Sequence, residues 1–79
     1  MNDRLKELLA EVFSLRLREI VPELTKEDVG SWDSLKQMDL VVSLEREYNI
    51  ELEIVDIIRM VTVSDIIAVL TDKGVNLEA

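Results

Sequence analysis

Gly30-Ser31-Trp32-Asp33-Ser34-Leu35 opens a run that continues, with apolar residues at helical spacing, to Tyr48. Asp33 has the side chain of an N-cap, a carboxylate that accepts bonds from the free amides of a first helical turn. Ser34 then takes the first helical position with its hydroxyl outward. An ester phosphate on that oxygen would lie beside unpaired N–H groups and the positive end of the helix dipole. The site therefore suits a phosphorylated or phosphodiester-linked serine. Asp-Ser-Leu is also ordinary capping vocabulary, and read only as a helix start it requires no chemistry at Ser34. The rest of the chain has to decide between the two.

Outward from that stretch, the helix of residues 34–48 has a core face made by Leu40, Val41, Leu44 and Tyr48. Leu35, Met38 and Val42 lie around its side with Asp39, Glu45 and Arg46 nearby. That flank reads either as a contact surface or as the edge of a wide core stripe. Asn49 suits the helix end, since it tolerates the left-handed conformation. Ile50-Glu51-Leu52-Glu53-Ile54 alternates as a strand would. With nothing to pair with, it is expected to be an extended linker. Ile54, Ile57 and Ile58 predict a short helix over about 54–60, although Val55 and Val61 weaken its helix propensity. Thr62-Val63-Ser64-Asp65 has the form of a capping box with Asp as fourth member. Val63, Ile66, Ile67 and Leu70 then make the buried face of a last helix over about 63–73, with Gly74 just past its end.

Upstream, Leu5, Leu8, Leu9, Val12 and Phe13 recur on one helix face, predicting a first helix from about residue 3 to about 17. Pro22 is a stop, because the residue before proline is biased away from helix. A long connection over 18–33 follows, anchored by Leu24 and Val29, with a turn at Thr25-Lys26-Glu27-Asp28. The fold class expected is all-α, a four-helix bundle in one domain spanning residues 1–79.

Composition narrows the function. The 79 residues contain no cysteine and no histidine, which removes disulfides, thiolate metal sites, and the commonest general base and metal ligand. No catalytic or metal-binding residue is expected. The net charge is −8, from 9 Lys+Arg against 17 Asp+Glu, which argues against nucleic acid and anionic membranes as partners. Half of it, a net −4, falls on residues 31–60, the segment that begins at the Ser34 site. Such a surface either steers basic partners or simply keeps a small domain soluble. Neither a secretory signal nor a membrane-spanning run is present, so the chain is expected to be cytoplasmic and not inserted in a membrane.

The order of elements resembles the acyl carrier proteins, small four-helix bundles that carry acyl chains as thioesters. The resemblance covers nearly the whole chain. It rests on Trp32-Asp33-Ser34-Leu35, on Leu44-Glu45-x-Glu47-Tyr48, and on Thr62-Val63-x-Asp65. It implies that Ser34 carries 4′-phosphopantetheine, attached from coenzyme A by a phosphopantetheinyl transferase, with Asp33 capping the helix or helping at the transferase metal. The prosthetic thiol would hold the acyl group, so a chain without Cys or His can serve thioester chemistry. Leu35, Met38 and Val42 match the family's apolar partner contacts; Asp39, Glu45 and Glu47 match its acidic ones. The implied partners are the transferase and acyl-activating, condensing or transferring enzymes, met by a monomer.

Four features depart from the fatty-acid members. Lys36 and Arg46 bring positive charge to the acidic helix, Trp32 replaces a small residue, and residues 54–61 are more apolar and lack a proline. These differences suggest a specialised carrier with dedicated partners. Two readings stand beside it: an acidic helical adaptor without a prosthetic group, and a peptidyl or D-alanyl carrier. A hydrolase with Ser34 as nucleophile lacks a histidine base.

Overall fold

The computed structural model describes residues 2–77. Four helices form the bundle: α1 (Asp3–Phe13), α2 (Ser34–Tyr48), α3 (Ile54–Arg59) and α4 (Val63–Asp72), with a 3-10 turn at Leu17–Glu19. Among the described residues the sole β feature is an isolated bridge between Thr25 and Thr62.

Each long helix begins on a local cap. Asn2 Oδ1 accepts the Leu5 amide at 3.0 Å, and Asp33 Oδ1 accepts the Lys36 amide at 2.9 Å. Thr62 and Asp65 exchange bonds, each side chain accepting the other's amide at 3.0 Å. Helix ends follow one pattern three times. Ser14, Asn49 and Gly74 all have positive φ, and the next residue's N–H reaches back to the carbonyl of Ala10, Glu45 and Leu70 respectively. Those backbone bonds satisfy carbonyls that the helix leaves open.

Here α1 departs from the sequence reading. It ends at Phe13 rather than near Leu17. Serine is an uncommon left-handed residue, costing about 1–2 kcal/mol there, so nothing in the local sequence marks Ser14 as a stop. The reversal brings Leu15 back against the core, and that burial offsets the strain. Leu17 lies in the 3-10 turn and is exposed.

The connection before α2 is tightly held. Ile20 and Val29 are buried in the core. Thr25 and Asp28 bond reciprocally, at 3.2 and 3.3 Å. Backbone bonds run from Lys26 to Val61, from Val63 to Leu24 and from Ser64 to Pro22. The loop is thus docked on the start of α4.

Leu5, Leu9, Phe13, Leu40, Leu44, Met60, Val63, Ile66, Val69 and Leu70 make a core with essentially no solvent exposure. On α4 it is Val69, not Ile67, that completes the buried face; Ile67 packs at its edge. Ile50 and Leu52 of the linker lean on the core while Glu51 and Glu53 face outward, which explains the alternation without a strand.

Candidate functional site

Ser34 is exposed at the first position of the 15-residue α2. Three interactions set it there. Asp33 adopts an extended backbone and caps the helix through its side chain. The Gln37 amide makes the first helical bond, to the Asp33 carbonyl at 2.8 Å. Behind them, Trp32 is 3% exposed, with its ring 4.4 Å from that of Phe13. Trp32 therefore pins the chain to the core immediately before it turns outward to Asp33 and Ser34.

This geometry fits a phosphodiester. The hydroxyl is open to solvent, the amides of Ser34 and Leu35 precede the first helical bond, and the dipole's positive end faces the site. Asp33 spends one carboxylate oxygen on the Lys36 amide. Two surface grooves lie elsewhere and neither is lined by Ser34. One, of about 500 Å³, runs between α1 and α2 past Leu8, Val12 and Lys36. The other, of about 670 Å³, lies by Tyr48, Asn49 and Lys73.

The side chains suggested for partner contact divide into two groups. Leu35 is 84% exposed, and Met38 and Val42 are about half exposed. They are solvent-facing positions rather than the edge of the core stripe. Asp39 is exposed and pairs loosely with Lys36, at 3.8 Å. Glu45 and Glu47 are used within the fold. Glu45 Oε2 accepts the Leu52 amide at 2.9 Å and fastens the linker to α2. Glu47 pairs with Arg4 of α1, whose guanidinium lies 5.8 Å from the Tyr48 ring centroid.

Two arrangements escaped the sequence reading. The first is Gln37, buried on the core face of α2. It accepts from the Trp32 indole and donates to the carbonyls of Ile57, at 2.9 Å, and Met60, at 3.2 Å. A signal existed: residue 37 shares the register of Leu40, Val41 and Leu44. The second is Asp56, which is buried although acidic. It accepts the Glu53 amide at 3.0 Å and pairs with Lys73 at 2.9 Å. The Glu53 amide foremost, and then the Lys73 ammonium, hold its carboxyl below the usual range. Lys73 is raised in turn, chiefly by its bond to Asp56. With Arg59–Asp72 at 3.0 Å, these pairs strap α3 to α4.

No group of three or more acidic side chains among the described residues is placed to hold a metal ion. Among the described residues no helix is long and apolar enough to cross a membrane.

Comparison with known proteins agrees with the geometry. The phosphopantetheine attachment site family matches residues 3–70. Curated acyl carrier proteins from Clostridium perfringens, strain 13 and strain SM101 among them, are 35% identical over 72 residues, covering 91% of this chain and 95% of theirs. The solution structure of a holo acyl carrier protein from Geobacter metallireducens superposes with a TM-score of 0.80 at 29% identity, covering 91% of this chain and 83% of that one. The exposed serine on a capped helix and the matches along the chain lead to one conclusion: this chain belongs to the acyl carrier protein family, and is a carrier, not an enzyme, that holds acyl groups as thioesters on covalently attached 4′-phosphopantetheine.

Proposed function

We propose that Ser34 is the attachment residue, and that the chain is a specialised carrier with its own partner enzymes rather than the general carrier of fatty-acid synthesis. The observation that carries the assignment is the exposure of Ser34 at the capped mouth of α2. The prosthetic group supplies the thiol that bonds the acyl group. The chain's own residues present and orient. Asp33 fastens the first turn of α2 by capping it, and Trp32 fixes the point from which the arm departs.

Partner choice supports the specialised reading. Leu35, Met38, Val42 and Asp39 are the exposed α2 residues offered to an acyl-activating, condensing or transferring enzyme. Lys36 and Arg46 interrupt the negative field on the same helix. Glu45 and Glu47 contribute less to docking, because each already has an internal partner. The protein works as a monomer in the cytoplasm, where coenzyme A and the transferase meet it.

The test is to incubate the protein with coenzyme A and a broad-specificity phosphopantetheinyl transferase and to measure its intact mass. One addition, absent in Ser34→Ala, is the expected result. An addition that survives Ser34→Ala moves the site elsewhere; no addition to the wild type by an active transferase removes the Ser34 assignment. Equal use of this chain and the usual carrier by the main fatty-acid ketosynthase would end the specialised reading.

A further inference from the structure

The first core-facing side chain of α2 after Ser34 is polar. Gln37 is 6% exposed, and its amide is used in three directions. Oε1 accepts from the indole of Trp32, and Nε2 donates to the carbonyls of Ile57 and Met60. The orientation of the amide is forced. An indole N–H can only donate and a carbonyl can only accept, so the oxygen must face Trp32 and the nitrogen must face α3. One side chain therefore ties the segment before Ser34, the first turn of α2 and the C-terminal end of α3.

That tie stands between Ser34 and the apolar interior. An alkyl chain entering between α2 and α3 at this end would have to separate Gln37 from the α3 carbonyls or from Trp32. Neither the indole N–H nor the carbonyls could bond to an alkyl chain, and buried polar groups left without partners are costly. Beyond Gln37 the residues Leu40, Leu44, Met60 and Ile66 are fully buried. Outside, by contrast, apolar surface is available on both helices: Leu35 on α2, and Ile54, Val55 and Ile58 on α3.

We propose that Gln37 and Trp32 are specificity-determining residues, a hydrogen-bonded latch that keeps the cargo outside the bundle. The carrier is then suited to short or polar acyl groups, since a long alkyl chain left outside rests only against exposed side chains such as Leu35 and Ile54 and keeps most of its surface in water. The inference rests on attachment at Ser34, and the experiment separates the two.

Coenzyme A and octanoyl-coenzyme A are each used with the transferase to load uniformly ¹⁵N,¹³C-labelled protein, and intact mass is measured first. Absence of added mass overturns the attachment at Ser34 and the latch with it. For loaded protein, the octanoyl form is compared with the form bearing the free thiol. The expected result is hydrogen exchange of the Trp32 indole within about twofold between the two forms, with no nuclear Overhauser contact from the terminal octanoyl methyl to Leu40, Leu44 or Ile66. Exchange accelerated by about tenfold or more, or contacts from that methyl to those core residues, overturns the proposal. Gln37→Ala, if folded, is expected to let the octanoyl methyl reach Leu40 or Leu44; a folded variant that still excludes it shows that Gln37 is not the latch. Should the variant fail to fold, the wild-type comparison decides alone.

Discussion

The helices α2 and α3 are joined at Gln37, yet different forces hold them. α2 is 15 residues long and secured along one face by Leu40, Val41 and Leu44. α3 has six residues, and the one it buries is Asp56. Most of its apolar residues point away from the core: Ile54 is 74% exposed and Ile58 is 71% exposed, while Ile57 packs against it. What keeps α3 in place is largely polar: the Asp56–Lys73 and Arg59–Asp72 pairs to α4 and the Gln37 bonds to the carbonyls of Ile57 and Met60 at its end. Just past its end, Met60 supplies the apolar anchor. The difference teaches that apolar content does not fix which way a short segment faces. A six-residue helix shows too little of a period to define a face, and the few specific bonds it makes can orient it.

Substitutions should separate these two modes of attachment. The largest effect is expected at Leu44→Ala, where a fully buried side chain leaves a cavity; denaturant unfolding should show a loss of about 2–5 kcal/mol. Next comes Asp33→Ala, which removes the α2 cap; a loss of about 0.5–2 kcal/mol is expected by the same measurement. If Asp33→Ala costs nothing, the first turn of α2 does not depend on its cap.

Asp56→Asn sharpens the contrast through pH. The folded-state pKa of Asp56 lies below its ordinary value, so as pH falls the unfolded chain takes up the proton first. The stability it contributes is full above the unfolded value of about 3.9 and disappears as pH drops through the folded value. Wild type should therefore exceed Asp56→Asn by a constant margin near neutral pH, and that margin should shrink in acid. Parallel pH profiles would show that the Asp56 charge does not hold α3. The smallest effect is expected at Ile58→Ala, within about 0.5 kcal/mol, because the side chain is already in water. A loss approaching that of Leu44→Ala would mean that α3 turns its apolar side inward in solution.

Part of the candidate site could be read from the letters because its geometry is local. Asp33 reaches the Lys36 amide three residues on, and the Thr62–Asp65 exchange has the same span. The position of Ser34 outside the core follows from the register of Leu40, Val41 and Leu44 on the same helix. Trp32 was harder. Its partner Phe13 is 19 residues away in the sequence, and nothing nearby announces the stacking. Glu45 and Glu47 looked like free surface acids, and only the paths of the linker and α1 gave them internal partners.

The sequence by itself determined where α2 and α4 begin, where Asn49 and Gly74 turn the chain, and that a hydroxyl stands at a helix mouth. All of these depend on residues within a few positions of one another. Tertiary structure alone decided that α1 stops at Ser14, that α3 turns Ile54 and Ile58 outward, and that the Gln37 amide finds its partners in Trp32 and α3. Each of those outcomes compares a local cost, a strained serine or an exposed side chain or a desolvated amide, with contacts from distant parts of the chain. No short window of residues contains both sides of that comparison.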